Sequence, residues 1–238
     1  MTEEARIPMR IIAYARNDYT EKFAVPRQSG LVPEVLTRVE FVPEYRVPEA
    51  LRGIEGFSHL WLLWVFHQAL REDWSPTVRP PRMGGNRRVG VFATRSPFRP
   101  NPIGLSAVRL HGVEDGALLV SGADLADGTP ILDVKPYLPY ADCVPDAAAG
   151  YTAALPERSL QVVCPPALLA GLTRPQQDAL LSVLSHDPRP AYQHSPDRVY
   201  GFRFARREVR FSVAEDVLTV LSIGDEEPGF EEQTPQSP

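Results

Sequence analysis

The stretch Leu105–Lys135, LSAVRLHGVEDGALLVSGADLADGTPILDVK, decides the fold. It holds three short apolar or alternating segments, Leu105 to Val113, Ala117 to Gly122 and Ile131 to Lys135, bounded by Gly, Pro and Asp. Segments of this length with turn residues between them are β-strands. Upstream the same pattern recurs at Ile11 to Tyr14, Val35 to Val42, Ser58 to His67 and Val89 to Thr94. That spacing predicts a sandwich or a barrel, and 25 prolines work against long helices. Pro48 to Leu51 is predicted to form a short helical turn before Gly53.

After Tyr140 the composition shifts. DCVPDAAAGYTAALPERS is small, polar and proline-marked, as a linker or a long crossing loop would be. Beyond it, Thr173-Arg174-Pro175-Gln176 fits a capping box, with Thr173 as N-cap and Gln176 reaching back. Leu180, Leu181 and Leu184 supply an apolar face for a helix to about Ser185, which Asp187-Pro188-Arg189-Pro190 ends. From Tyr200 to Val213 apolar residues alternate with Arg203, Arg210 and Ser212, and a further strand is predicted at Val217 to Ile223. The predicted organisation is a mainly β domain over residues 1–150, a smaller α+β domain over 151–224 and a disordered acidic tail over 225–238.

The 238 residues, 43% hydrophobic and 23% charged, are enough for a sizeable core. The polar N-terminus MTEEARIPMR lacks the features of a secretory signal, and the longest apolar run, Leu60 to Phe66, is too short to span a bilayer. Cys143 and Cys164 form no CxxC pair and no zinc-spaced cluster, so reduced thiols, no metal site and a cytoplasmic location are expected.

The net charge of −5 argues against a nucleic-acid partner, but the average conceals a local field. From Arg79 to Arg109 the chain carries Arg79, Arg82, Arg87, Arg88, Arg95, Arg99 and Arg109 with no Asp, Glu or Lys. Such a run is either a solvated face or a surface for phosphates and bases, and arginine suits the second because its planar fork binds bidentately and stacks.

Motifs for the common nucleotide folds are missing: the chain has no GxGxxG after a strand, no GxxxxGK[ST], no GxSxG and no HExxH. The densest unusual segment runs from Arg79 to Leu110, RPPRMGGNRRVGVFATRSPFRPNPIGLSAVRL. Gly84-Gly85-Asn86 permits a tight turn, and Pro97, Pro100 and Pro102 stiffen a polar loop holding Arg95, Arg99 and Asn101. This loop either holds a site or simply returns the chain. His67-Gln68 closes an apolar strand, a common structural position for histidine as well as a functional one. Asp133, Lys135 and Tyr137 alternate along one strand face and place acid, amine and phenol together, as a proton-relay cluster or a surface ion pair.

These segments, with EKFAVPRQSGL (Glu21 to Leu31), GIEGFSHLWLLWVFHQ and DLADGTPILDVKPYLPYAD, closely resemble the TsaA-like family, whose bacterial members are called TrmO. DPRPAY (Asp187 to Tyr192) and the aromatic–arginine strands after it resemble the family's bacterial C-terminal domain. The resemblance implies a small β-barrel, usually dimeric, that methylates the exocyclic nitrogen of threonylcarbamoyl-adenosine at tRNA position 37 with S-adenosyl-L-methionine. It implies donor contacts at Gln28, Ser29, Gly30, His67, Gln68, Arg95, Leu105 and Ser121, Gly122, Ala123 and Asp124. Asp124 suits the donor's ribose or ammonium, Arg95 its carboxylate, and backbone near Gly30 and Leu105 its adenine edge.

The acceptor nitrogen is urea-like and needs to lose a proton, so Asp133 or Tyr137 is expected as proton acceptor, with Lys135 on the threonyl carboxylate or a phosphate. Asn101-Pro102 matches the start of the motif by which other amine methyltransferases grip an amino group. Arg79, Arg82, Arg87, Arg88 and Arg99, with Arg203, Arg206, Arg207 and Arg210, are expected to face the tRNA anticodon arm. The rival readings are a methyltransferase of the same fold with another acceptor and a non-catalytic RNA-binding barrel.

Overall fold

The computed structural model describes residues 7–21, 23–80, 87–154, 159–189 and 198–225. Arg82, the Gly84–Asn86 turn, residues 190–192 of the DPRPAY motif and the tail beyond Asp225 therefore lie outside the described residues. The N-terminal part contains β1 (Ala13–Arg16), β2 (Leu36–Phe41), α1 (Pro48–Leu51), β3 (His59–Val65), β4 (Thr77–Val78), β5 (Val89–Gly90), β6 (Ile103–Glu114), β7 (Ala117–Ser121), β8 (Pro130–Pro136) and α2 (Pro139–Asp142). Six of these strands close into a barrel in the order β1-β2-β7-β6-β3-β8, with antiparallel neighbours.

Closure removes both sheet edges, and period-two alternation then assigns each side chain to the inside or the outside. Leu60, Leu62 and Trp64 of β3, Val108 of β6, and Leu118 and Val120 of β7 fill the barrel core. The long β6 turns into β7 through Asp115 and Gly116, both in the left-handed region at φ 49 and 72. That is the Asp-Gly geometry that matches the twist of a two-residue hairpin.

The segment expected as a strand from Val89 to Thr94 pairs only as β5. Val91–Ala93 instead forms a 3-10 turn, which Thr94 closes by donating both its N–H and its hydroxyl to the Val91 carbonyl. The strand expected to reach His67 ends at Val65, because Phe66 donates its N–H to the Pro102 carbonyl and the chain coils into a turn over His67–Ala69. The expected linker carries a further 3-10 turn at Gly150–Ala154.

The C-terminal part forms a four-stranded sheet of β9 (Gln161–Val163), β10 (Tyr200–Phe204), β11 (Arg207–Ala214) and β12 (Val217–Gly224), in the order β10-β11-β12-β9. Two helices accompany it, α3 (Pro166–Leu169) and α4 (Arg174–Ser185). The capping box at Thr173 and Gln176 starts α4 as its sequence predicts. Its buried face is Ala179, Leu180, Val183 and Leu184, while Leu181 is half-buried. The parallel strand β9 carries no alternation long enough to announce it.

This second core is not built from C-terminal residues alone. Tyr19, Ala24, Val32 and Val35, all from the connection between β1 and β2, are buried in it beside Phe204, Phe211 and Leu180. Asp18 reinforces the join by accepting from Gln176 Nε2 and, through its carbonyl, from the Ala205 N–H. Among the described residues no helix is long and apolar enough to cross a membrane.

Candidate functional site

Alternation turns Gly104 and Ser106 of β6 into the barrel and Ile103 and Leu105 out of it. Ser106, fully buried, accepts a hydrogen bond from Trp64 Nε1 at 2.9 Å and donates its hydroxyl to Asp124 Oδ1. The Trp64 indole lies over its register partner Gly104, where any Cβ would overlap the ring. Burial pushes the Asp124 carboxyl above the ordinary range, against the Ser106 hydroxyl, its own and the Ser29 backbone, and the charge of Arg95. A carboxylate disfavoured by desolvation yet fixed by a hydroxyl and a main-chain donor is suited to receive a cation.

The loop before β2 brings three more predicted residues to this carboxylate. Gly30, at φ 82, donates its N–H to the Gly122 carbonyl at 2.8 Å. Gly122 has φ 76, and a Cβ there would sit 3.3 Å from Gly30 Cα, so both its conformation and the contact favour glycine. Gln28 donates its amide to the Arg27 carbonyl at 2.6 Å and accepts from Arg95 Nη1. Gln28, Ser29, Gly30, Arg95, Gly122 and Asp124 thus form one constellation across three connections of the barrel.

The other predicted residues make different contacts. Ser121 Oγ and His111 Nε2 share a hydrogen bond at 2.8 Å, and Ala123 packs in the barrel core. His67, half-buried, and Gln68, exposed, occupy the turn after β3. Leu105 lies on the outer face, 54% exposed. Asn101 is exposed, its carbonyl accepting from the Ile103 N–H at 2.7 Å.

Asp133 and Lys135 pair at 2.7 Å on the outer face, where Asp133 is in register with Leu63 and, one strand further on, Leu105. Tyr137 lies just past the end of β8 with its ring tilted against Trp61 at 5.4 Å. Trp64, which belongs to the Asp124 cluster, and Leu63, which neighbours Asp133, thus point to opposite faces of β3.

The arginines divide as well. Arg79, Arg88 and Arg95 line a cleft of about 1440 Å³ whose lining also includes Phe66, Phe92 and Phe98 and, from the C-terminal part, Val183, His186 and residues 187–189. Arg87 is exposed nearby in sequence. Arg99 braces its own loop through the Thr94 and Ser96 carbonyls. Arg203, Arg207 and Arg210 pair with Glu21, Asp225 and Glu208, and Arg206 takes a turn position at φ 61.

Sequence reading missed Ser106 and Trp64. The signal was available in their alternation, which places a hydroxyl and an indole N–H inside a barrel where each needs a partner.

Residues 14–143 match the tRNA-methyltransferase O N-terminal domain, and residues 157–226 match the TrmO C-terminal domain. The tRNA (adenine(37)-N6)-methyltransferase of Escherichia coli K12 is 44% identical over 224 residues, covering 89% of this chain and 95% of that one. A Pseudomonas aeruginosa protein whose name assigns it, provisionally, to the S-adenosylmethionine-dependent methyltransferases is 46% identical over 220 residues, with the same coverage of 89% and 95%. The crystal structure of TrmO from Pseudomonas aeruginosa superposes with a TM-score of 0.75 at 37% identity, covering 92% of this chain and 100% of that one. With both of its parts matched in sequence and in fold, the chain belongs to the tRNA-methyltransferase O (TrmO) family.

Proposed function

We propose that this chain transfers a methyl group from S-adenosylmethionine to N6 of adenosine 37 in tRNA, the acceptor being threonylcarbamoyl-adenosine beside the anticodon. The observation that carries this reading is Asp124, a desolvated carboxylate held by Ser106 with the Arg95 charge nearby. The donor is a sulfonium with an ammonium, a ribose diol and a carboxylate. An acid beside a guanidinium, with the backbone of Ser29 and Gly30 close by, fits that set of groups. Gln28, His67, Gln68, Leu105 and the main chain from Ser121 to Ala123 complete the proposed donor site. When bound, the donor supplies an electrophilic methyl on sulfur, so one S–C bond breaks and one N–C bond forms as the acceptor nitrogen gives up its proton.

The residues of the chain have to orient the acceptor and take that proton. Asp133 is the proposed proton acceptor, Lys135 the partner of the threonyl carboxylate or a phosphate, and Tyr137 and Asn101 further acceptor contacts. In-line positioning does most of the remaining work. The arginine- and phenylalanine-lined cleft suits the unpaired bases and phosphates of an anticodon arm, with Arg79, Arg88 and Arg95 among its cationic lining and Arg87 exposed next to Arg88 in sequence. A tRNA acceptor assigns the work to the cytoplasm.

The outer face of the barrel supports a homodimer. Leu63 lies opposite Leu105 and Val65 opposite Ile103, and the exposed Leu105 and Ile103 form an apolar patch beside the Asp133–Lys135 pair. Incubation of the full chain with methyl-labelled donor and bulk tRNA, followed by nucleoside analysis, tests the proposal. Label in the modified adenosine supports it when Asp124→Asn abolishes incorporation. Label elsewhere, or none, contradicts it.

A further inference from the structure

The DPRPAY motif begins where α4 ends, and its first three residues form a buried clasp. Asp187 sits in the left-handed region at φ 52 and binds Arg189 through two contacts, Nε to Oδ1 at 2.8 Å and Nη2 to Oδ2 at 2.9 Å. Both residues are buried, at 8% and 6% exposure. Burial opposes ionisation of Asp187, yet the Arg189 hydrogen bonds and charge, aided by Arg27, outweigh it and hold the carboxyl below its ordinary range. This fork fixes the path of the chain, and its main-chain carbonyls are put to use. Arg27 donates Nη2 to the Asp187 carbonyl at 3.1 Å and to the Arg189 carbonyl at 2.8 Å.

Arg27 immediately precedes the proposed donor loop. Its own carbonyl accepts the Gln28 amide, which turns the Gln28 oxygen toward Arg95. Arg95 in turn acts on Asp124 through its charge. A series of hydrogen bonds thus runs from the turn after α4 to Arg95, through Asp187 and Arg189, Arg27 and Gln28, and the Arg95 charge carries it on to Asp124. The same loop is held on its other side by Gly30 against Gly122, and its flanks, Ala24 and Val32, are buried in the C-terminal core.

We propose that Arg27 is a positioning residue for the methyl donor, through which the C-terminal part of the chain sets the geometry of the donor site. The proposal rests on the donor-site reading above. Arg27 touches neither reacting atom; it orients Gln28 and Arg95, and the gain is that the site is preorganised before the donor arrives. The barrel supplies the carboxylate, and the C-terminal part holds the loop that completes the site.

Calorimetric titration of full-length protein with S-adenosylmethionine, in the absence of tRNA, tests this. The wild type is expected to bind, and Arg27→Ala to weaken binding about tenfold, equivalent to about 1.4 kcal/mol. Arg27→Lys, whose ammonium can still donate to a carbonyl, should recover most of that loss. Asp187→Asn keeps a residue that tolerates the left-handed conformation but breaks the fork, and should reproduce the Arg27→Ala effect. S-adenosylhomocysteine should lose the same factor, because Arg95 is proposed to hold the amino-acid end that both molecules share. Arg174→Ala, which removes an exposed C-terminal arginine, should change nothing.

Unchanged affinity in Arg27→Ala overturns the proposal. So does a loss that Arg27→Lys fails to recover and that follows a fall in the melting temperature, since that marks a purely structural role. A wild type that binds no donor overturns the donor-site reading itself, an outcome separate from the other two.

Discussion

At the scale of single residues, the burial of Asp124 carries a measurable cost. Burial raises its pKa in the folded state above the unfolded value, so the folded protein binds that proton more tightly than the unfolded chain does. Ionised Asp124 therefore subtracts stability at every pH above its folded pKa. The subtraction fades as pH falls through that value and is gone below the ordinary carboxylate range. Asp124→Asn should raise the melting temperature at neutral pH, lose this advantage on acidification, and abolish donor binding. A variant that is less stable at pH 7 would show that the carboxylate serves the fold rather than a ligand. The residues of the proposed donor site were unevenly legible. Asp124, Arg95 and Gly30 stood out in the sequence through the family resemblance, and the structure brings them together. Ser106 was hidden because a serine in a strand looks ordinary until the partner strand supplies an indole and the connection after β7 a carboxylate.

At the scale of elements, alternation along the strands of the barrel carried most of the information, and β2, β3, β6, β7 and β8 lie where their apolar periodicity placed them, within a few residues. Short elements fixed by tertiary contacts did not announce themselves. Strand β9 has three residues and pairs in parallel with β12, while the stretch after Gly90 coils because Thr94 bonds back to Val91. Nor did the periodicity of the first part show that Tyr19, Ala24, Val32 and Val35 belong to the other core, since their partners lie well over a hundred residues away. The β3–β6 pair offers a direct test of packing. Trp64 occupies the space over Gly104, so Gly104→Ala must displace the indole and strain its bond to Ser106. Denaturant unfolding should register a loss of about 1–3 kcal/mol, the usual cost of overpacking a close-packed core. A neutral result would mean the indole moves freely and does not fix Ser106.

At the scale of the whole molecule, two cores share one loop, and the proposed acceptor group lies on the outer face of the barrel, away from the Asp124 cluster. If that face is covered by a second copy, the Asp133 of one protomer serves the donor site of its partner. Asp124→Asn and Asp133→Asn, each inactive alone, should then regain activity when mixed and reassembled. Random mixing leaves about a quarter of the sites intact in a two-fold dimer. No recovery would assign both carboxylates to the same protomer or exclude Asp133 from the reaction. Whether the chain methylates threonylcarbamoyl-adenosine at position 37 is decided by one comparison. Methyl transfer from labelled donor is measured on one tRNA carrying the threonylcarbamoyl group and on the same tRNA lacking it. Label is expected in the modified tRNA alone. Equal labelling of both, or labelling of neither by protein that binds the donor, would contradict it.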